Sequence, residues 1–169
     1  RYIATGVPAE QLDKNLKPGD LIPLTRTKNA YIYENPRALP RVLFATTARK
    51  ADFAAMIESG QWPDVDYRST VLLENPPEAV MAKAPGSARI ISYRNTEVVI
   101  EASSPEGGWL VLNDVWHPWW QVEVDGVPAT LLRADVIFRV VELPPGQHQV
   151  RFVFRPFAGL WAQLRGRGP

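Results

Sequence analysis

The chain contains no cysteine, which excludes disulfides, thiolate metal sites and thiol nucleophiles together. Histidine is nearly absent too, at two residues. Zinc takes three or four ligands, mostly from His and Cys, so a site begun by Asp114-x-x-His117 lacks the partners to finish it and no metal is expected. Neither sign of charge dominates, with 19 Lys and Arg against 18 Asp and Glu. Such a surface offers no broad field to draw in a polyanion, and no nucleic-acid partner is expected. No apolar run approaches the ~20 residues of a membrane span. There is no Gly-x-Ser-x-Gly elbow, no phosphate-cradling glycine loop and no Gly-x-Gly-x-x-Gly, so no cofactor is implied. Paired acids for glycoside hydrolysis stay open, because their separation belongs to the fold and not to the spacing.

What the chain does have is punctuation. Its 16 prolines and 11 glycines fall between short apolar pieces, as turns between strands do. At 169 residues and 46% hydrophobic it is long enough for one well-packed core, and a single domain is expected. Its parts are residues 1–60 (N-terminal strands and helix), 69–155 (the main β region) and 156–169 (a tail). The start, Arg1-Tyr2-Ile3-Ala4, has no signal-peptide pattern and reads as if cut from something longer.

Tyr31 to Glu34, ended by Asn35-Pro36, reads as a strand, and so does Arg41 to Ala45, which is too short for a buried helix. One helix follows: Thr47 is its expected N-cap, Phe53, Met56 and Ile57 share a face, and Gly60 stops it. From Ser69 the period becomes two. In Glu97 to Ala102, Val98, Ile100 and Ala102 point one way; in Gln149 to Arg155, Val150, Phe152 and Phe154 do. Between these lie Gly108 to Leu112, Trp120 to Val124 and Val136 to Val141. Asp125-Gly126 is a strong hairpin signal and Pro144-Pro145-Gly146 marks another reversal. Many short strands at this spacing predict a mainly β, antiparallel sandwich of jelly-roll or Ig-like kind with one short inserted helix.

Several of these pieces are similar to a known pattern. Gly108-Trp109-Leu110-Val111-Leu112-Asn113-Asp114, His117-Pro118-Trp119-Trp120 and Val124-Asp125-Gly126 resemble the signature of YfhO-type bacterial membrane proteins. So do Tyr33 to Arg41 (YENPRALPR), Phe138-Arg139, and Pro145 to Phe152 (PGQHQVRF). These stretches keep the family's order from about residue 31 to 155. One position departs: Trp119 stands where the family has glycine, which bears on whether the corner turns tightly. The resemblance implies a β-rich domain on the extracytoplasmic, periplasmic face of a multi-span protein similar to lipid-linked-sugar glycosyltransferases. The membrane-embedded remainder of that protein would be its partner, with a glycan or lipid-linked sugar as possible ligand. The catalytic carboxylates would lie elsewhere, so no catalytic residue is expected here.

The candidate ligand residues are Trp116, Trp119, Asn113 and Asp114: indole faces stack on pyranose rings, and the Asn and Asp bind hydroxyls. The competing reading makes these tryptophans core, most of all Trp120, which continues the inward set of Val122 and Val124. An aromatic platform would alternatively make the chain a carbohydrate-binding module; a free-standing hydrolase is a third reading. Trp120, Asp125, Gly126 and Arg139 are expected to be structural. Arg139 interrupts an apolar run, so its charge must reach the surface or find a carboxylate such as Asp114 or Asp125. His148 is expected to be a solvated strand-start residue. The tail, with Trp161 and two arginines, suits the start of a membrane span, a membrane-water boundary piece, a short capping helix or a solvated terminus.

Overall fold

The structure is a computed structural model that describes residues 2–76 and 84–156. The expected tail lies outside the described residues from 157 onward. Strands take 51% and helices 8% of the described residues, so the fold is mainly β, with several antiparallel sheets consistent with a sandwich. By its contacts the chain divides into two compact units, Arg1–Pro40 and Arg41–Pro169.

The first unit holds β1 (Tyr2–Thr5), α1 (Ala9–Leu12), β2 (Ile22–Arg26) and β3 (Tyr31–Glu34), with the sheet ordered β1-β3-β2. Tyr33 is buried on the central strand, and its hydroxyl accepts the Ala9 N–H at 3.0 Å, tying the helix start to the sheet.

The second unit begins with β4 (Val42–Ala45), β5 (Thr47–Lys50), α2 (Phe53–Ser59) and β6 (Thr70–Leu73). It continues through β7 (Ser87–Arg94), β8 (Glu97–Ser104), β9 (Gly108–Val115), β10 (Trp120–Val124) and β11 (Val127–Ala129). It ends with β12 (Leu132–Ala134), β13 (Phe138–Leu143) and β14 (Gly146–Phe154). A five-stranded sheet, β11-β10-β14-β8-β7, faces a four-stranded one, β12-β13-β9-β4. Their seam buries Val98, Ile100, Val150 and Phe152 from one sheet against Leu110, Leu112, Val141 and Leu143 from the other.

The two sheets differ in a way that their sequences foretell. The five-stranded sheet covers its core on one face only, so β8 alternates, with Val98, Ile100 and Ala102 buried. The four-stranded sheet is covered on both faces: Trp109, Val111 and Val140 pack with Val71 and Leu73 of β6 in a second cluster. That double burial is why Gly108 to Leu112 is apolar without alternation. Gly108 also sits at φ 144, where a Cβ would meet the Ala45 carbonyl at 2.8 Å, so only glycine lets β4 approach β9 this closely.

Some expectations are corrected. The N-cap of α2 is Asp52, whose side chain accepts the Ala55 N–H, while Thr47 belongs to β5. Phe53 and Met56 are buried, but Ile57 is 67% exposed, because seven residues give the helix only two core positions. Gly60 does close it, at φ 66. This helix links β5 to β6, which pair in parallel, a crossover that the short apolar pieces did not announce. Asp125 and Gly126, at φ 53 and φ 80, form the expected hairpin turn between β10 and β11. Pro144-Pro145-Gly146 does reverse the chain, but it carries it from one sheet to the other and makes no hairpin.

Candidate functional site

The link from β9 to β10 leaves the four-stranded sheet and enters the five-stranded one, and Trp116 to Trp120 form its corner. Backbone bonds fasten it at each end. Trp116 N–H donates to the Ile137 carbonyl at 2.6 Å, Trp120 N–H to His117 at 3.0 Å, and Arg155 N–H to Trp119 at 2.9 Å. The bond from Trp120 to His117 closes a four-residue turn with Pro118 at its second position, where proline's fixed φ suits it. Trp119 is not among the residues with positive φ. The corner therefore turns tightly with tryptophan in the third position and needs no glycine there.

The three tryptophans are all half-buried, in different company. Trp120 packs on the seam between the sheets and its ring lies 3.9 Å from the Arg139 guanidinium carbon. Trp119 packs against His117 at 4.8 Å and Phe154 at 6.1 Å, with its indole N–H shut from solvent. Trp116 lies near the Arg133 guanidinium, 5.9 Å from its carbon. Trp119, the expected partner of Trp116, does not line the groove of about 370 Å³ in which Trp116 stands. Trp116 and Trp120 line it together with Pro118, Pro128 and Leu131, and Gln121 and Glu123 are its polar side chains.

Behind the groove lies a charged cluster. Arg139 is 4% exposed and reaches Asp114 Oδ2 at 3.3 Å. The same carboxylate accepts from Arg41 at 2.8 Å and from the Tyr93 hydroxyl at 2.8 Å. Burial pulls the Arg139 pKa below the usual guanidinium value, against the upward pull of Asp114. Burial, then the bond to Asp114, raises that of Tyr93. Arg139 Nη1 has no hydrogen-bond acceptor among the described residues, and the Trp120 face provides π-density in its place. Asp114 thus holds two arginines, and Asn113, half-buried beside it on β9, donates its backbone N–H to Arg41 at 2.8 Å. Neither side chain lines the groove. Glu123 is held as well, by Arg151 at 3.1 Å and Arg155 at 3.8 Å. Among the described residues no group of three metal-ligating side chains comes together.

His148 departs from expectation. Its Nδ1 lies 2.7 Å from Asp125 Oδ2 and its Nε2 lies 3.1 Å from the Pro144 carbonyl, so it is clamped and not solvated. Both partners are acceptors, and only the doubly protonated ring satisfies both. The bond to Asp125 raises the His148 pKa, and the same bond lowers that of Asp125. What sequence reasoning missed at the groove is its far wall. Pro128 and Leu131 are brought there by the Asp125-Gly126 turn, a placement that depends on which strand pairs with β10.

No family model matches this chain, and no curated protein or solved structure does either. Among the described residues no helix is long and apolar enough to cross a membrane.

Proposed function

We propose that this chain is a non-catalytic domain that positions a glycan on the extracytoplasmic face of a multi-span bacterial membrane protein. The observation that carries the reading is the groove at the corner. Two indoles and two prolines give it flat apolar walls, and Gln121 and Glu123 supply hydrogen-bonding groups at its side. A pyranose needs that combination, an apolar face for its C–H surface and polar groups for its hydroxyls. The Arg139–Asp114 cluster fixes Trp120 in advance, which lowers the ordering cost of binding. The motif resemblance over residues 31–155 supports the membrane setting.

Glycoside chemistry needs a pair of carboxyl groups. Among the described residues one carboxylate, Glu123, lines the groove, and two arginines hold it. This favours binding over turnover.

The test is a glycan array, followed by saccharide titration of the full chain with tryptophan fluorescence as readout. Binding that Trp116→Ala weakens about tenfold, equal to about 1.4 kcal/mol, is the expected result. No response to any glycan would reduce the domain to a structural part. A free-standing carbohydrate-binding module would use the same groove. Membrane spans encoded upstream of Arg1, each recognisable as ~20 apolar residues, favour the membrane reading, and a gene without them favours the module.

A further inference from the structure

Trp62 is the one tryptophan among the described residues that presents half its surface to solvent, at 54% exposed. It stands on the loop after α2, and that loop is built. Gly60 closes the helix at φ 66, the Ser59 hydroxyl donates to the Ala55 carbonyl at 2.7 Å, and Gln61 N–H donates to Ser59 Oγ at 3.2 Å. The Tyr67 hydroxyl donates to the Pro63 carbonyl at 2.9 Å, and its ring lies T-shaped to that of Trp62 with centroids 6.4 Å apart. Leaving an indole in water forgoes the stabilisation of burying it, and fixing its loop by three local hydrogen bonds and a ring contact prepares it for a ligand.

The groove beside Trp62 measures about 390 Å³ and is lined by Arg49, Asp52, Met56, Gln61 and Pro63 among others. We infer that this groove is a second saccharide-binding site, in which a pyranose ring stacks on Trp62 and shares its hydroxyls among Arg49, Asp52 and Gln61. The lining decides the ligand class. Arg49 donates, Asp52 has a carboxylate oxygen beyond the one that caps α2, and Gln61 does both. A lipid chain would strip water from these groups and return nothing. A phosphate would meet the Asp52 carboxylate. A neutral polyol with a flat apolar face satisfies all of them. The site uses β5, α2 and their following loop, none of which contributes to the corner groove, so it extends the glycan reading on a separate observation.

The test is a titration of the isotope-labelled full chain with glucose-, N-acetylglucosamine-, mannose- and galactose-based oligosaccharides at millimolar concentration, watching the indole N–H signals by NMR. Trp62→Phe assigns the Trp62 signal. That signal is expected to shift and saturate with at least one sugar. Trp62→Ala should weaken that binding by about tenfold or more, and Arg49→Ala and Gln61→Ala by smaller factors. All three side chains are exposed or on the surface loop, so the variants should melt with the parent. A Trp62 signal that no sugar moves, or unchanged affinity in Trp62→Ala, would overturn the site. Shifts confined to Trp116 and Trp120 would overturn it too while leaving the corner groove standing; shifts at Trp62 alone would do the reverse.

Discussion

A buried arginine is stable only as long as something answers its charge, and Arg139 relies on Asp114 and the face of Trp120. Removing one partner of a buried pair leaves an uncompensated charge and costs about 3–5 kcal/mol, whereas replacing the charged residue by an apolar one of similar volume is often near neutral. Asp114→Ala should therefore unfold at clearly lower urea than the parent, and adding Arg139→Met should restore most of the loss. Equal destabilisation by the single and the double variant would mean that Arg139 matters through packing and not charge. His148 gives a second residue-scale prediction. Its folded pKa is raised above the usual 6.5, so its contribution is complete below that pH and is lost as pH rises through the folded value. The lowered pKa of Asp125 works in the other sense, contributing above the usual carboxylate value and losing that contribution as pH falls through the folded one. The clamp is strongest in mildly acidic solution. Thermal melts from pH 6 to 8 should fall for the parent and lie flatter for His148→Gln; parallel curves would show that the clamp is not responsible.

At the scale of elements, the turn from β12 to β13 is the strained one. Asp135 and Val136 lie at φ 45 and φ 74, which is unfavourable for valine, whose branched side chain clashes there. The turn holds because Val136 is buried with Phe53, Met56 and Leu72, and because Asp135 exchanges two bonds with Leu72, its N–H to the carbonyl at 3.0 Å and its Oδ1 from the N–H at 2.8 Å. Burial pushes the Asp135 pKa up to about 6, against the lowering pull of the Leu72 N–H. A raised carboxyl stabilises the fold while protonated and loses that contribution between its ordinary value near 4 and about 6. Asp135→Asn keeps the acceptor without the charge, and after allowance for partial exposure it should add about 1–2 kcal/mol at pH 7 and almost nothing at pH 4. A gain of the same size at both pH values would count against ionisation as the cause.

The elements that sequence announced are those whose burial repeats: β8 and β14 alternate because one face meets the seam, and β9 runs apolar because both faces are covered. β1, β2, β5, β11 and β12 were missed, being three to five residues long, with β2 exposed throughout. At the candidate site, Trp120 against the core and Arg139 on Asp114 were legible, since an arginine in an apolar run needs a carboxylate. Which tryptophan would join Trp116 was not. That depends on a corner where consecutive residues point apart, and Trp119 went to His117 and Phe154. Trp62 was invisible for the opposite reason, because a lone tryptophan in a loop has no pattern around it to say whether it is covered.

For the whole molecule the useful question is how much of the chain the sandwich requires. All three core clusters draw on residues from Val42 onward, with none from the first unit. The first unit keeps its own sheet and its own buried Tyr33. Domains with separate cores can fold separately, so residues 41–169 expressed alone should give the same indole signals for Trp62, Trp109, Trp116, Trp119 and Trp120 as the full chain. Their melting temperature should lie within a few degrees of it. Both grooves proposed to bind saccharide consist of residues from 49 onward, so any glycan affinity of the full chain should survive the truncation. Lost affinity in a truncated protein that still shows the full set of indole signals would place part of the binding surface in the first forty residues. Failure of the truncated protein to fold would instead show that the first unit completes the core.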